Sequence, residues 1–283
     1  MSTRDLVALG AQLLVAAGVP SAEHDAAELL AHVLGVPRGH LAIADPPTIE
    51  QAGRYDQLIA RRSTREPLQH ITGVAAFRYI EVTVGPGVFV PRPETELLAG
   101  WGAEQAEGIV TTGRRPVVVD LCTGSGALAL AIAHEVPESV VYAVELSEDA
   151  FCWAMRNLAG SGIDVRQGNM ATAFQDLDGT VDVIVCNPPY IPLEAFESVA
   201  AEARDFDPDL ALWSGEDGLD AMRALEGTAV RLLRPGGVLG VEHADVQGAS
   251  APAVFTATGR WADVRDHPDL AGRPRYLTAK LAR

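Results

Sequence analysis

The chain has 283 residues, of which 48% are hydrophobic and 21% charged, a balance that supports a packed core and excludes a disordered chain. Its 38 acids and 22 bases give a formal charge of -16. Residues 1–80 hold 8 acids and 7 bases, so almost all of that charge lies in 81–283, which disfavours free nucleic acid, whose phosphates are held by Lys and Arg.

Leu6, Leu9, Leu13 and Ala17 fall at helical spacing, and Gly18-Val19-Pro20 stops the segment. Ser21 is placed to cap a second helix that buries Leu29, Leu30, Val33 and Leu34 and ends at Gly35. Thr48-Ile49-Glu50-Gln51 has the form of a capping box and opens a third helix with Tyr55, Leu58, Ile59 and Arg62. Residues 1–73 therefore read as a small helical domain. The strand-forming run Phe77–Val90, broken at Gly85-Pro86-Gly87, predicts a β-hairpin linker over 74–92. A helix follows from Glu94-Thr95-Glu96.

From Val117 short β-branched runs alternate with helical stretches. The runs are Val117–Leu121, Val140–Glu145, Asp164–Gly168, Val181–Asn187, Val238–His243, Ala262–His267 and Arg275–Leu281. This alternation predicts an α/β fold: a mainly parallel, Rossmann-like sheet with helices on both faces and ligands at the carboxyl ends of the strands.

No apolar run reaches the roughly 18–20 residues of a membrane span. The polar start Met1–Asp5 does not read as a leader. Three widely spaced cysteines, Cys122, Cys152 and Cys186, argue against a disulfide framework or a four-ligand zinc site and fit a reducing cytosol. Cys152 and Cys186 read as core fillers.

Two motifs carry chemistry. Asp120-Leu121-Cys122-Thr123-Gly124-Ser125-Gly126 turns sharply from the first strand into a helix, and Glu145 ends the second strand. Such a carboxylate can accept both hydroxyls of a ribose, so the pair predicts an adenosine cofactor and leaves open which one. Asn187-Pro188-Pro189-Tyr190 ends the fourth strand, beside the first. Asn187 offers a carbonyl, the prolines stiffen the loop and remove donors, and Tyr190 offers a flat wall. Two rigid acceptors suit an –NH₂ group. They can aim the lone pair of a poorly nucleophilic amide or aryl amine at the methyl of a sulfonium, S-adenosyl-L-methionine.

These residues resemble those of the protein-(glutamine-N(5)) methyltransferases that modify class I peptide chain release factors. The likeness extends over Arg65–Gly73, Phe89–Glu96, Asp207-Pro208, Gly218–Asp220 and Asp269–Arg273. It implies a class I methyltransferase domain over 93–283 and a substrate-binding role for 1–73. The implied substrate is the glutamine of the Gly-Gly-Gln loop, whose methylation modulates translation termination. It further implies that Asn187 and the Pro188 carbonyl bind the amide, with Pro189 and Tyr190 completing the catalytic corner. Cys122, Thr123, Gly124, Ser125, Gly126 and Glu145 would hold the cofactor, with Asn187 beside it. Where some members carry an acid and an aromatic around the adenine, this chain has Asn169-Met170. The two-domain layout is compatible with a monomer.

Three other readings compete. A methyltransferase acting on the exocyclic amine of a nucleic-acid base would use the same tetrapeptide, against the acidic balance. A nicotinamide-dependent oxidoreductase would use the glycine turn and leave Asn187–Tyr190 without a role. A non-catalytic binding module would use neither. His70 and His243 read as structural, Arg92 as a loop brace or a cleft contact, and the acids between Glu194 and Asp209 as a solvated or partner-facing surface.

Overall fold

The computed structural model describes residues 1–282, which form two compact units: 1–74 with 200–206, and 75–199 with the residues from 207 onward. The first unit is helical. It comprises α1 (Thr3–Ala16), α2 (Ala22–Leu34), α3 (Ile49–Ser63), α4 (Leu68–Thr72) and, from much later in the chain, α8 (Ala201–Phe206). Its core joins Leu6, Leu14, Leu29, Leu30, Tyr55 and Ile59. In α1 the buried face is Leu6, Gly10, Ala11 and Leu14. Leu9 and Leu13, expected inward, are exposed, because the buried stripe lies one position round the helix. Ser21 occupies the cap of α2 without a side-chain cap bond, whereas Thr48 and Gln51 form the full capping box.

Buried charge ties α8 into this unit. Arg62 bonds Asp25 at 2.8 Å and Glu202 at 3.0 Å, and Arg65 bonds the other oxygen of Glu202 at 2.5 Å. These guanidiniums hold the Glu202 carboxyl down at about 2.

A hairpin of β1 (Val74–Phe77) and β2 (Ile80–Thr83) opens the second unit, which takes over from Ala75. Its turn is Arg78-Tyr79, with Arg78 at φ +50°, and not Gly85-Pro86-Gly87. That tripeptide instead lies against Trp153, whose Nε1 donates to the Pro86 carbonyl at 3.2 Å. Then follow α5 (Thr95–Val110), β3 (Val117–Leu121), α6 (Ala127–Glu135), β4 (Val140–Glu145), α7 (Glu148–Asn157), β5 (Asp164–Gln167) and β6 (Val181–Cys186). The rest comprises α9 (Asp209–Leu212), α10 (Asp220–Leu232), β7 (Leu233–Glu242), α11 (Ser250–Thr256), β8 (Trp261–Pro268) and β9 (Pro274–Leu281).

The seven strands of the main sheet run in the order β5-β4-β3-β6-β7-β9-β8. β5 to β7 are parallel, and β9 lies antiparallel between β7 and β8. Alternating residues of the central strands feed two cores. The hairpin, α5, α6 and α7 pack on Val118, Val183 and Val185, while α10 and α11 pack on Val119, Ile184 and Val241. β6 is buried throughout, as a central parallel strand covered on both faces should be. Its one charge, Asp182, is met by Arg114, Arg234 and the Val117 N–H. Chain order reverses at β3, which has β4 on one side and β6 on the other, so the ligand crevice of such a sheet lies at the carboxyl ends of β3 and β6. Among the described residues no helix is long and apolar enough to cross a membrane.

Candidate active site

Register brings the two motifs together. Leu121 of β3 pairs with Val144 of β4 and with Cys186 of β6, so the glycine turn, Glu145 and Asn187 leave three adjacent strands at one level.

The turn is built on left-handed backbone. Cys122, Gly124 and Gly126 have φ of +62°, +57° and +87°. A Cβ on Gly124 would meet nothing within 4 Å, whereas one on Gly126 would meet the Leu158 side chain at 3.0 Å. Gly124 thus opens its main chain to a ligand, and Gly126 lets α6 start close to its neighbour. Beneath, buried Asp120 accepts from the Thr123 hydroxyl at 2.5 Å and from the Ala129 N–H at 3.2 Å. Burial raises its carboxyl to about 7. Ser125 is buried, and its carbonyl accepts from Asn157 at 2.9 Å.

Glu145 accepts one main-chain N–H on each oxygen, from Gly124 and from Ser147, both at 2.8 Å. Each oxygen keeps lone pairs for further donors. A fixed carboxylate beside an open glycine turn fits the ribose of an adenosyl cofactor. Met170 reaches the turn, its sulfur 3.6 Å from Cys122 Sγ. Asn169 is exposed, and its side-chain oxygen accepts from the Ala171 N–H at 2.9 Å.

At the end of β6, Asn187 Nδ2 donates to Thr95 Oγ1 at 3.3 Å. Among the described residues no protein group donates to Asn187 Oδ1 or to the Pro188 carbonyl. Asn187, Pro189 and Tyr190 are partly exposed, and Pro188 is buried. The Tyr190 hydroxyl donates to Glu242 Oε1 at 3.1 Å, and burial pushes its ionisation far up, so it stays a neutral phenol. Thr95 donates to Glu242 Oε2 at 2.7 Å. Glu242 is 1% exposed and its carboxyl is raised by burial.

Thr95 and Glu242 lie outside both sequence motifs, and Asp120, at the start of the first, supports the turn from below. Of those set aside, Arg92 braces its loop: it bonds Asp207 at 2.5 Å and lies over the Phe89 ring. His243 is buried between the Ala244 carbonyl and Asp266. His70 is buried in α4. Cys186 is in the core as expected, but Cys152 is exposed on α7. The acidic stretch is not a uniform solvated face, since Glu202 and Asp207 are spent on internal arginines.

Residues 5–73 match the family model of the PrmC N-terminal domain and residues 107–203 that of the methyltransferase small domain. The release factor glutamine methyltransferase of Streptomyces coelicolor is 59% identical over 98% of this chain and 97% of its own. A Streptomyces pristinaespiralis protein named 4-amino-L-phenylalanine/4-methylamino-L-phenylalanine methyltransferase is 44% identical over 90% of this chain and 87% of its own. Among solved structures, the hMettl16 catalytic domain in complex with the MAT2A 3'UTR hairpin 6 superposes with a TM-score of 0.53 at 15% identity, covering 71% of this chain and 75% of that one. That likeness concerns the fold alone, a Rossmann-like methyltransferase sheet. With a relative so similar along nearly its whole length, this chain belongs to the release factor glutamine methyltransferase family.

Proposed function

We propose that this enzyme transfers the methyl group of S-adenosylmethionine to the side-chain amide nitrogen of the glutamine in the Gly-Gly-Gln loop of class I peptide chain release factors. The observation that carries this reading is the pair of acceptors without protein donors among the described residues, Asn187 Oδ1 and the Pro188 carbonyl, one strand away from the glycine turn. A primary amide has two hydrogens to give, and these are two places to put them.

Glu145 would hold the ribose, Cys122–Gly126 would wrap the cofactor, and Asn169 and Met170 would flank its adenine. The cofactor, when bound, supplies a methyl group made electrophilic by the sulfonium. The chain's own task is to hold the amide by both hydrogens, which restrains its nitrogen and turns the lone pair outward. Tyr190, neutral and anchored at its hydroxyl, walls the planar amide. Neither acceptor is basic enough to keep a proton, so the one that nitrogen gives up leaves to water. Residues 1–73 would dock the factor. The reading carries with it a cytoplasmic monomer that meets its substrate as a protein and does without free nucleic acid.

A second reading rests on the 44% identical relative named for an amino-phenylalanine: an aromatic amine also presents two hydrogens and a flat ring. Labelled S-adenosylmethionine, offered separately with a purified release factor and with 4-amino-L-phenylalanine, separates the two. Label mapped by mass to the Gly-Gly-Gln glutamine supports the first. Label only on the amino acid overturns it.

A further inference from the structure

An asparagine can present either end of its amide, and the two ends are nearly the same shape. A substrate –NH₂ requires the oxygen. Something beyond Asn187 must therefore decide which end faces the cleft, and the hydrogen bonds behind it supply the decision.

A hydroxyl carries one hydrogen, and that of Thr95 is directed to Glu242 Oε2 at 2.7 Å. Glu242 receives the Thr95 hydroxyl on one oxygen and the Tyr190 hydroxyl on the other, and a carboxylate that accepts on both oxygens has no hydrogen to return. Thr95 Oγ1 is then left with lone pairs only, and it can do nothing for Asn187 except accept. The only side-chain donor Asn187 has is Nδ2, found 3.3 Å away. The oxygen is forced to the opposite end, where no donor among the described residues meets it. In the reversed amide, Oδ1 would face the lone pairs of Thr95, and the –NH₂ group would face the substrate's own –NH₂ group.

The second oxygen of Glu242 takes the Tyr190 hydroxyl at 3.1 Å. One carboxylate therefore governs both the acceptor and the wall of the corner. Register places it there: Cys186 pairs with Val241, so Asn187 and Glu242 are the next residues of adjacent strands, and Thr95 opens α5. Its location is costly, since a carboxylate 1% exposed has given up its water. An apolar residue at this strand end would pack more favourably but could not set a proton direction.

Resting on the proposed transfer to an amide, we infer that Glu242 and Thr95 are positioning residues that fix the amide orientation of Asn187, and that Glu242 also fixes the ring of Tyr190. Neither touches the reacting atoms.

The test uses the full-length enzyme as wild type, T95V, T95S, E242Q, N187A and the double variant N187A/T95V. Valine keeps the shape of Thr95 without its hydroxyl. T95V is expected to lower kcat about 10- to 100-fold, with S-adenosylmethionine affinity by calorimetry within about twofold of wild type, and T95S is expected to restore most of the rate. E242Q is expected to behave as T95V does, because a glutamine puts an –NH₂ group in place of one of the two accepting oxygens. In the N187A background, T95V is expected to cost nothing further. Full kcat in T95V, no rescue by T95S, or the same T95V loss with Asn187 already removed would each overturn the inference. Inactivity of the wild-type enzyme on a release factor would instead sink the proposed substrate. Orientation is then read without substrate, from the Asn187 side-chain amide protons by NMR. They should lose exchange protection in T95V, and unchanged protection overturns the inference.

Discussion

The main-chain N–H of Gly124 donates to Glu145 Oε2 at 2.8 Å, which makes the glycine turn after β3 and the acid ending β4 a single structural unit. Replacing Glu145 alters both at once. It removes the acceptor proposed for the ribose and leaves the amides of Gly124 and Ser147 without their carboxylate.

Glu145→Ala should therefore weaken S-adenosylmethionine binding by about tenfold or more, the scale of one hydrogen bond to a charged group. Isothermal calorimetry reads this directly. Unchanged affinity would remove Glu145 from the cofactor site.

Asn187→Ala deletes one of the two acceptors and leaves Glu145 and the glycine turn intact. Turnover with a release factor should fall about 100-fold, the scale of losing one oriented polar group at a reacting centre, while cofactor affinity changes far less. Rapid-quench and binding measurements on the same preparation would separate these effects. A variant that keeps its turnover contradicts the mechanism.

Gly126 stands at φ +87°, and an added Cβ would meet Leu158 at 3.0 Å. Gly126→Ala should cost about 1–2 kcal/mol from the left-handed backbone alone, seen as a lower urea midpoint. A midpoint equal to wild type would mean that the turn adopts another conformation.

Glu202 has a folded-state ionisation near 2 against an ordinary value of 4.5. The unfolded chain binds its proton first as the pH falls, so the stabilisation from Arg62 and Arg65 is complete above 4.5 and is lost as the pH drops toward 2. Glu202→Gln should destabilise the helical unit by about 1.5–3 kcal/mol near neutral pH. The difference from wild type should shrink on acidification. Thermal unfolding across that range checks both, and a gap that does not depend on pH would contradict the ion-pair account.

What the sequence revealed, and what it hid, follows from the range of the forces involved. β3 and β4 are legible to the residue because buried parallel strands must be continuous runs of branched apolar side chains. The glycine turn and Asn187–Tyr190 are legible because glycine and proline fix backbone geometry wherever they stand. Thr95 and Glu242 look unremarkable in the sequence. Each is one polar residue at the end of an apolar element, and they meet across 147 positions. Glu202 looks like a surface acid for the same reason, since its arginine partners lie 137 and 140 positions earlier. The hairpin turn was misplaced because Gly85-Pro86-Gly87 has turn composition. Instead Gly85 leaves room for the Trp153 ring, and Gly87 for the Asp149 side chain.

The contribution of α8 to the helical unit bears on how the protein is made. A nascent chain grows from its N-terminus, and domains generally fold as they emerge. The first 74 residues leave the ribosome carrying Arg62 and Arg65, but the carboxylate that satisfies both guanidiniums is not yet synthesised. The unit that emerges first is therefore completed late, only once translation has passed Glu202.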